Sequence, residues 1–301
     1  MGTETTAKKI TIRDAIIQLE NCRHSTIISY IAAQNALVGS EDAMALVDVI
    51  EMVKPSNAKI AKLDLFLHSP GGFIDAAYKI VRICKDYSNE FNVIVPIAAK
   101  SAATVICLGA NEIVMTSLSE LGPIDPIIQH PYKPEVRVPA RAIKDFFDFI
   151  SSTETSDKIP LDQNVKNQMT SLFDPYLIGS YQTALKSSKQ IAKILLSEGV
   201  LRGNEAKIEE VVNKFTEYYV SHSFFIDRNI VRDMGLNVKK AEDDPLLVQA
   251  IRQLFSVYSQ FMDSQKINKL IGNRERNINF TLLPPQPTPN VKSQNSVNLT
   301  F

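Results

Sequence analysis

Short apolar segments alternate with helix-like segments along much of this 301-residue chain, and that alternation most limits the fold that it can adopt. Between residues 26 and 116, apolar runs of strand length are followed repeatedly by stretches whose apolar residues recur at helical spacing. Such repeated strand–helix units predict a parallel α/β sheet that is covered on both faces. Ligands of these sheets lie at the carboxyl ends of the strands, so functional residues are expected in the turns that follow them.

The sequence pattern divides the chain into three parts. After Asp125 the pattern turns helical, and we predict a core domain over residues 1–240. The second part, residues 241–272, contains a long amphipathic helix whose apolar face is suited to a partner helix, so it is a candidate oligomerisation element. The Pro-rich sequence that follows is unsuited to forming a core, and we predict a flexible tail over residues 273–301.

Composition excludes several classes of protein. Apolar residues make up 45% and charged residues 22% of the chain, as in soluble globular proteins. Lys and Arg number 33, as do Asp and Glu, so there is no basic footprint for nucleic acid. No segment predicts a signal peptide or a membrane span, and the three cysteines predict buried thiols in a reducing compartment. We therefore expect a cytoplasmic protein, and no residue pattern calls for a cofactor or a metal.

Two tight strand-to-helix turns bring different chemistry to the same end of the sheet. The first is HSPGG at residues 68–72, where glycines can leave backbone N–H groups unpaired and directed at an anion. The second is AKSAAT at residues 99–104, where Ser101 precedes an almost wholly apolar helix. An anion cradle near a serine that opens a helix suggests acyl transfer.

The residues of these turns divide into oxyanion donors and nucleophiles. A carbonyl under attack develops negative charge on its oxygen, and the amides of Gly71 or Gly72 and of Ala102 can stabilise that charge. Ser101 and Thr104 are the candidate nucleophiles of the second turn. Ser101 can also serve only as the N-cap of the helix, which serine does well.

A nucleophilic serine needs a base, and the residues alone leave its identity open. A desolvated lysine can serve if its pKa falls from about 10.4 to about 7–8. Lys100 is adjacent to Ser101, but neighbouring side chains point apart; Lys144 lies beside three phenylalanines that can desolvate it, or is an exposed helix lysine beside Asp145. The histidines are few, and the sequence does not give their geometry: His24, His68, His130 and His222.

Three sequence blocks, in order, resemble a known family. HSPGG (68–72), AKSAAT (99–104) and LGPIDP (121–126) resemble the serine dehydrogenase proteinases, which belong with the Clp-protease and crotonase superfamily and are similar to signal peptide peptidase A. The resemblance covers roughly residues 10–238. It implies an α/β fold, a crotonase/Clp-protease-like ββα spiral with a mostly parallel sheet followed by C-terminal helices. It also implies Ser101 as nucleophile and the amides of Gly71 and Ala102 as oxyanion hole.

The resemblance to signal peptide peptidase A implies a lysine as base. That enzyme uses a Ser–Lys dyad whose lysine lies well downstream of the serine; Lys144 fits this position, and Lys186 on a later helix is the second choice. The histidine of the Clp protease would fall near residues 125–126, where this sequence has Asp and Pro. We therefore predict a homo-oligomeric serine endopeptidase of the Ser–Lys type, which binds an extended peptide by strand addition beside Gly71 and Gly72.

Two other functions fit the same sequence. Crotonase-like acyl-CoA hydrolases or isomerases use the same oxyanion hole on thioesters and need no serine nucleophile. A catalytically silent oligomeric scaffold is the third hypothesis, because related folds stack into rings and the helix at residues 246–270 is suited to a partner.

Overall fold

The structure is a computed structural model, and it describes residues 10–130, 133–151, 162–171, 174–219 and 221–281. Strands and helices alternate in the first half of the chain, as the sequence predicts. The strands are β1 Thr26–Ala32, β2 Ile60–His68, β3 Ser88–Val95, β4 Ala98–Ala99, β5 Ile113–Met115, β6 Glu120–Leu121, β7 Ile127–His130, β8 Lys133–Pro139, β9 Ile226–Asp227, β10 Val238–Lys240, β11 Lys269–Gly272 and β12 Asn277–Phe280. The helices are α1 Ile12–Arg23, α2 Asp42–Val53, α3 Ile74–Tyr87, α4 Ala102–Leu108, α5 Ala140–Ser151, α6 Gln163–Ser171, α7 Pro175–Glu198, α8 Glu205–Asn213, α9 Arg228–Asp233 and α10 Pro245–Gln265.

A seven-stranded sheet forms the centre of the fold, in the order β10-β5-β3-β2-β1-β11-β12. The first five strands of that order run parallel, whereas β11 and β12 pair antiparallel at the other edge. A second sheet of three short strands, β4-β6-β9, continues the chain just beyond β3 and β5. The predicted fold, a mostly parallel α/β sheet with helices after it, is confirmed.

Helices cover both faces of the main sheet, and alternate residues of β2 point into two apolar clusters. Leu65 and Leu67 belong to the larger cluster, to which α2, α3, α4, α7 and α8 contribute. Phe66 points into the cluster formed with α1 and α10. This period of two is what a central strand buried on both faces requires. The core therefore fixes β2 firmly, and with it the turn that follows this strand.

The apolar face of α10 is buried inside the chain. Leu247, Leu254 and Tyr258 are fully buried, and the helix packs against α1. The amphipathic pattern correctly predicted a helix here, but the surface that covers its apolar face belongs to the same chain.

Regular structure continues past Asn273, where the sequence predicted a flexible tail. β11 pairs with β1, and β12 extends the sheet by pairing with β11. Leu270 and Ile271 are fully buried, which supplies the apolar contact that holds this edge hairpin. Strands of four residues are too short to give a clear period, so the sequence pattern does not predict them. Residues 282–301 of the predicted tail lie outside the described residues.

A second hairpin follows Asp125, where the sequence predicted mainly helices. β7 and β8 pair antiparallel, and α5 then begins at Ala140. The later helices α7, α8 and α9 agree with the helical pattern predicted after Asp125. Among the described helices, none is long and apolar enough to cross a bilayer.

Candidate active site

The two predicted turns lie side by side at the carboxyl ends of β2 and β3. The amide of Ser69 donates to the carbonyl of Ala98, and the amide of Lys100 donates to the carbonyl of Ser69, both at 3.0 Å. This parallel bridge forms because β2 and β3 are neighbours in the sheet. The turn that carries the glycines and the turn that carries the serine are thereby held against each other.

Ser101 has an unusual backbone conformation at the start of α4. Its φ is 51° and its ψ is −118°, in the left-handed region, where residues other than glycine carry a cost of about 1–3 kcal/mol. Its side chain makes no N-cap hydrogen bond to the helix. Instead, Oγ donates to the carbonyl of Asp125 at 3.4 Å, and the residue is only 3% exposed. The N-cap role that the sequence left open is therefore not the role of this serine.

Gly71 packs directly against the Ser101 turn. Its φ is 104°, and a Cβ at this position would lie 2.6 Å from the carbonyl oxygen of Lys100 and 2.7 Å from the Cβ of Ser101. Only glycine allows this close approach. The Gly71 amide donates to Ser69 Oγ at 3.1 Å, whereas the Ala102 amide has no acceptor among the described residues. Two predicted oxyanion donors thus lie close to Ser101, and one of them is occupied by a neighbouring hydroxyl.

Gly72 makes a different contact, with the segment around Val38. A Cβ on Gly72 would lie 2.4 Å from both the nitrogen and the oxygen of Val38. The amide of Val38 donates to the carbonyl of Gly71 at 2.8 Å, and the amide of Phe73 donates to the carbonyl of Val38 at 2.9 Å. The amide and carbonyl of Gly72 itself are not used by this bridge, so they lie on the opposite edge of the segment.

Thr104, the other candidate nucleophile, has a structural role. Its Oγ1 lies 2.8 Å from the carbonyl oxygens of both Ala99 and Gly122, which share its single hydroxyl proton, and it accepts from the amide of Gly122 at 3.2 Å. The side chain is fully buried. Thr104 therefore ties the serine turn to the loop that follows β6, and no lone hydroxyl is left for attack on a substrate.

The three lysines that are candidate bases either form ion pairs with carboxylates or are exposed to solvent. Lys100 forms an ion pair of 2.7 Å with Glu120. Lys144 lies on α5 and pairs with Asp148 at 2.6 Å; its side chain is 48% exposed, so it lacks the desolvation that the sequence prediction assumed. Lys186, the second choice, is exposed on α7.

The histidines occupy very different environments. His24 is an exposed residue at the C-terminal end of α1. His68 accepts from the amide of Ala98 at 3.3 Å and packs its ring edge-on against Phe255; burial lowers its pKa. His130 belongs to β7, and its side chain is outside the described part of the chain. His222 places Nδ1 3.5 Å from Oδ2 of Asp125, and it is the histidine whose contact leads back to Ser101.

Asp125 is the site residue that sequence reasoning did not single out. Its carbonyl accepts from Ser101, its Oδ1 accepts from the amide of Arg141 at 3.1 Å, and its Oδ2 faces His222. The sequence contains a signal for it, because Asp125 lies in the LGPIDP block, near the position at which the resemblance to the Clp protease implies a histidine.

A family model that describes ClpP-like SDH-type serine proteinases matches residues 3–277, nearly the whole chain. The chain belongs to that family. The predicted resemblance to the serine dehydrogenase proteinases is thereby confirmed, and this chain is a serine proteinase by family.

Two uncharacterized proteins of Methanocaldococcus jannaschii are similar to this ClpP-like proteinase. The first is 35% identical over 115 residues, 36% of this chain and 40% of the relative, so the match spans less than two thirds of that relative. The second is 23% identical over 260 residues, 83% of this chain and 77% of the relative. A variant of 1510-N, a membrane-bound stomatin-specific protease, is 16% identical with a TM-score of 0.40, over 71% of this chain and 79% of that one. A variant of ClpP1 from Listeria monocytogenes is 14% identical with the same TM-score of 0.40, over 74% and 96%.

A cleft of about 640 Å³ adjoins the glycine turn of this proteinase. Gly72, Phe73 and Pro126 line one side, and the N-terminal half of α7 lines the other, including Tyr176 and Thr183. Gly72 lines this cleft, so the space beside the glycine turn can hold part of a ligand.

Proposed function

We propose that this chain hydrolyses peptide bonds through an acyl-enzyme on Ser101. The observation that carries the proposal is the backbone of Ser101, which departs from the N-cap conformation and directs the hydroxyl at the carbonyl of Asp125. A serine that merely capped α4 would gain a hydrogen bond and avoid the cost of a positive φ. Backbone conformations with such an energetic cost are retained mainly at functional sites.

The oxyanion of the tetrahedral intermediate would be bound by backbone amides of the two turns. The Ala102 amide is available, and the Gly71 amide becomes available if Ser69 Oγ turns away from it. The amide of Gly72 is the third predicted donor, and its unused edge can also pair with the backbone of an extended peptide in the cleft beside α7. Loss of one such donor typically costs about 3–4 kcal/mol of barrier.

The base that the sequence predicts is Lys144. In the structure its ammonium pairs with Asp148 on an exposed helix face, so a role as base requires it to exchange that partner for Ser101. Lys144→Gln tests this prediction, and it should abolish peptide hydrolysis if Lys144 is the base. Lys193→Gln is the matched control, because Lys193 is also exposed and paired with a carboxylate, that of Glu209, at 2.5 Å.

The nucleophile is tested by labelling with a fluorophosphonate, which reacts with activated serines, followed by mapping of the modified residue by mass spectrometry. We expect wild-type protein to be labelled at Ser101 and Ser101→Ala to be unlabelled. Ser256→Ala, an exposed serine on α10, should be labelled like wild type. Equal labelling of wild type and Ser101→Ala would show that the nucleophile is another residue.

The same variant separates the rival functions. Binding and turnover of acyl-CoA thioesters that survive Ser101→Ala would favour a crotonase-like hydrolase or isomerase. A wild-type protein that forms a stable assembly but resists every serine-directed probe would favour a scaffold. From the family we also expect a homo-oligomer, and a monomer by light scattering would contradict this expectation. From the amino-acid sequence we expect a cytoplasmic location.

A further inference from the structure

Two buried polar atoms without hydrogen-bond partners face each other next to the proposed nucleophile. They are Oδ2 of Asp125 and Nδ1 of His222, and they lie 3.5 Å apart. Within the described part of the chain, neither atom has another hydrogen-bond partner. Buried polar atoms are almost always paired in folded proteins. A small rotation of the imidazole would give both atoms a partner at once.

The carboxylate of Asp125 is held in place independently of His222. Its Oδ1 accepts from the amide of Arg141 at 3.1 Å, at the start of α5. The residue is 6% exposed, and the amide of the preceding Ile124 donates to the carbonyl of Phe215 at 2.8 Å. Because its backbone and one carboxylate oxygen are fixed, the other oxygen presents a fixed acceptor to the imidazole.

Asp125 contacts the nucleophile as well as the imidazole. Its backbone carbonyl accepts from Ser101 Oγ at 3.4 Å, while its side chain faces His222. When Nδ1 of an imidazole donates to a carboxylate, the ring is held in the tautomer that leaves Nε2 free to accept a proton. Catalytic hydrogen bonds in structures without substrate are often long and tighten only when substrate binds.

We infer that His222 is the general base for Ser101 and that Asp125 orients its imidazole, an inference that rests on the proposed peptidase function. His222 Nε2 takes the proton of Ser101 Oγ as Oγ bonds to the substrate carbonyl carbon. The same proton passes to the leaving nitrogen as the C–N bond breaks. Water then gives a proton to Nε2 as its oxygen attacks the acyl carbon, and the proton returns to Oγ when the ester bond breaks.

In this arrangement Lys100 holds the segment that carries the base and is not itself the base. Its ammonium pairs with Glu120 and donates to the carbonyl of Phe224 at 3.3 Å, two residues beyond His222. The ring of Phe224 stacks on Tyr219 with centroids 4.3 Å apart, which holds the segment from its other side. The residue next to the nucleophile thus tethers the segment that carries the base.

The charged and titratable groups around the imidazole come from four segments: β2, the serine turn, β6 and the loop that follows β6. A small cleft of about 260 Å³ is lined by His222 together with His68, Lys100 and Glu120, and Asp125 faces the ring through Oδ2. Lys100 and Glu120 form an ion pair with each other, and the Asp125 carboxylate is the charged group in direct contact with the imidazole. An imidazolium formed during the reaction would therefore be stabilised by Asp125.

The test is the second-order rate of Ser101 labelling by a fluorophosphonate, measured from pH 5 to pH 9 in the full-length protein. The wild-type rate should rise over the range in which imidazoles titrate, about pH 5 to 8. His222→Gln should lower the rate about 100-fold or more and remove that rise, in line with general-base contributions of about 10²–10⁴. His24→Asn is the matched control and should behave like wild type.

Two further measurements keep a structural role apart from a catalytic one. Added imidazole should restore part of the labelling rate of His222→Ala, and a thermal melt should show that this variant is folded. Asp125→Asn should lower the rate while the imidazole is retained. The inference is overturned if His222→Gln keeps the wild-type rate and pH profile at a labelled Ser101. If wild-type protein is not labelled at Ser101, the proposed function itself fails, and the inference fails with it.

Discussion

Replacement of Gly71 by alanine is the substitution whose effect the structure determines most directly. The added methyl group would lie 2.6 Å from the carbonyl oxygen of Lys100, 2.7 Å from the Cβ of Ser101 and 3.1 Å from the amide nitrogen of Ala102. All three atoms belong to the turn that carries the proposed nucleophile, Ser101. None of them is the flexible end of a side chain, so the turn itself has to move.

The size of that movement can be estimated from ordinary contact distances. Ordinary van der Waals contact begins at 3.4 Å, so a contact of 2.6 Å has to open by about 0.8 Å. A displacement of about 1 Å at an active site can cost a factor of about 10² in rate. Loss of one oxyanion donor costs a factor of about 10²–10³. We therefore expect Gly71→Ala to label with a fluorophosphonate at least 100-fold more slowly than wild type.

The backbone conformation adds a cost in stability that can be measured separately. Gly71 has a φ of 104°, and an alanine forced into the left-handed region loses about 1–2 kcal/mol. Gly203 is the matched control, with a φ of 82° and no atom within 4 Å of an added Cβ. Gly203→Ala should therefore lose a similar amount in denaturant unfolding and label at the wild-type rate. A Gly71→Ala variant that labels as fast as wild type would refute the close approach of the two turns as the basis of the site.

Two predictions concern stability and its dependence on pH. Arg23→Met should cost about 3–5 kcal/mol of unfolding free energy, because it leaves the fully buried Asp64 without the guanidinium that lies 2.6 Å away. Arg13→Met, which removes an exposed pair, should leave denaturant unfolding almost unchanged, and equal effects of the two variants would contradict the argument. Burial lowers the pKa of His68, so the neutral form is favoured in the folded state, and its contribution to stability is present above about pH 6.5 and lost as the pH falls below that value. The difference in melting temperature between wild type and His68→Gln should therefore shrink from pH 7.5 to pH 5.5, and a constant difference would show that His68 does not titrate in this way.

The sequence predicted the turn that carries the proposed nucleophile and the glycine turn beside it because their determinants are local. Apolar runs fix β2 and β3, and the turns that follow contain the glycine and the serine whose backbone angles matter. Neighbouring parallel strands then place Ser69 beside Ala98 without any further information. The elements that were missed depend on contacts between distant residues or on strands too short to show a period, such as the hairpin that begins at Lys269.

The histidine that we infer as the base could not be predicted for the same physical reason. His222 follows Asp125 by nearly a hundred residues, and no local pattern indicates that the two side chains meet. Lys144 was favoured because phenylalanines lie near it in sequence, but position along a helix does not determine which face is covered. Its side chain proved to be 48% exposed. Desolvation depends on tertiary packing, so sequence proximity to apolar residues is a weak guide to it.

The two residues on either side of the second turn explain how Ser101 can keep a costly backbone conformation. Thr104 holds the turn through hydrogen bonds between its hydroxyl and backbone groups of Ala99 and Gly122. Lys100 also holds the turn, through its ion pair with Glu120 and its hydrogen bond to the carbonyl of Phe224. A residue keeps a strained backbone conformation only where several surrounding contacts fix that conformation, as they do at Ser101. Lys100 also donates to the carbonyl of Phe224, in the segment that contains His222. The same side chain therefore holds both the serine turn and the segment of the proposed base. The nucleophile and the proposed base should therefore be assembled together, when the chain returns through β9 to pair with β6.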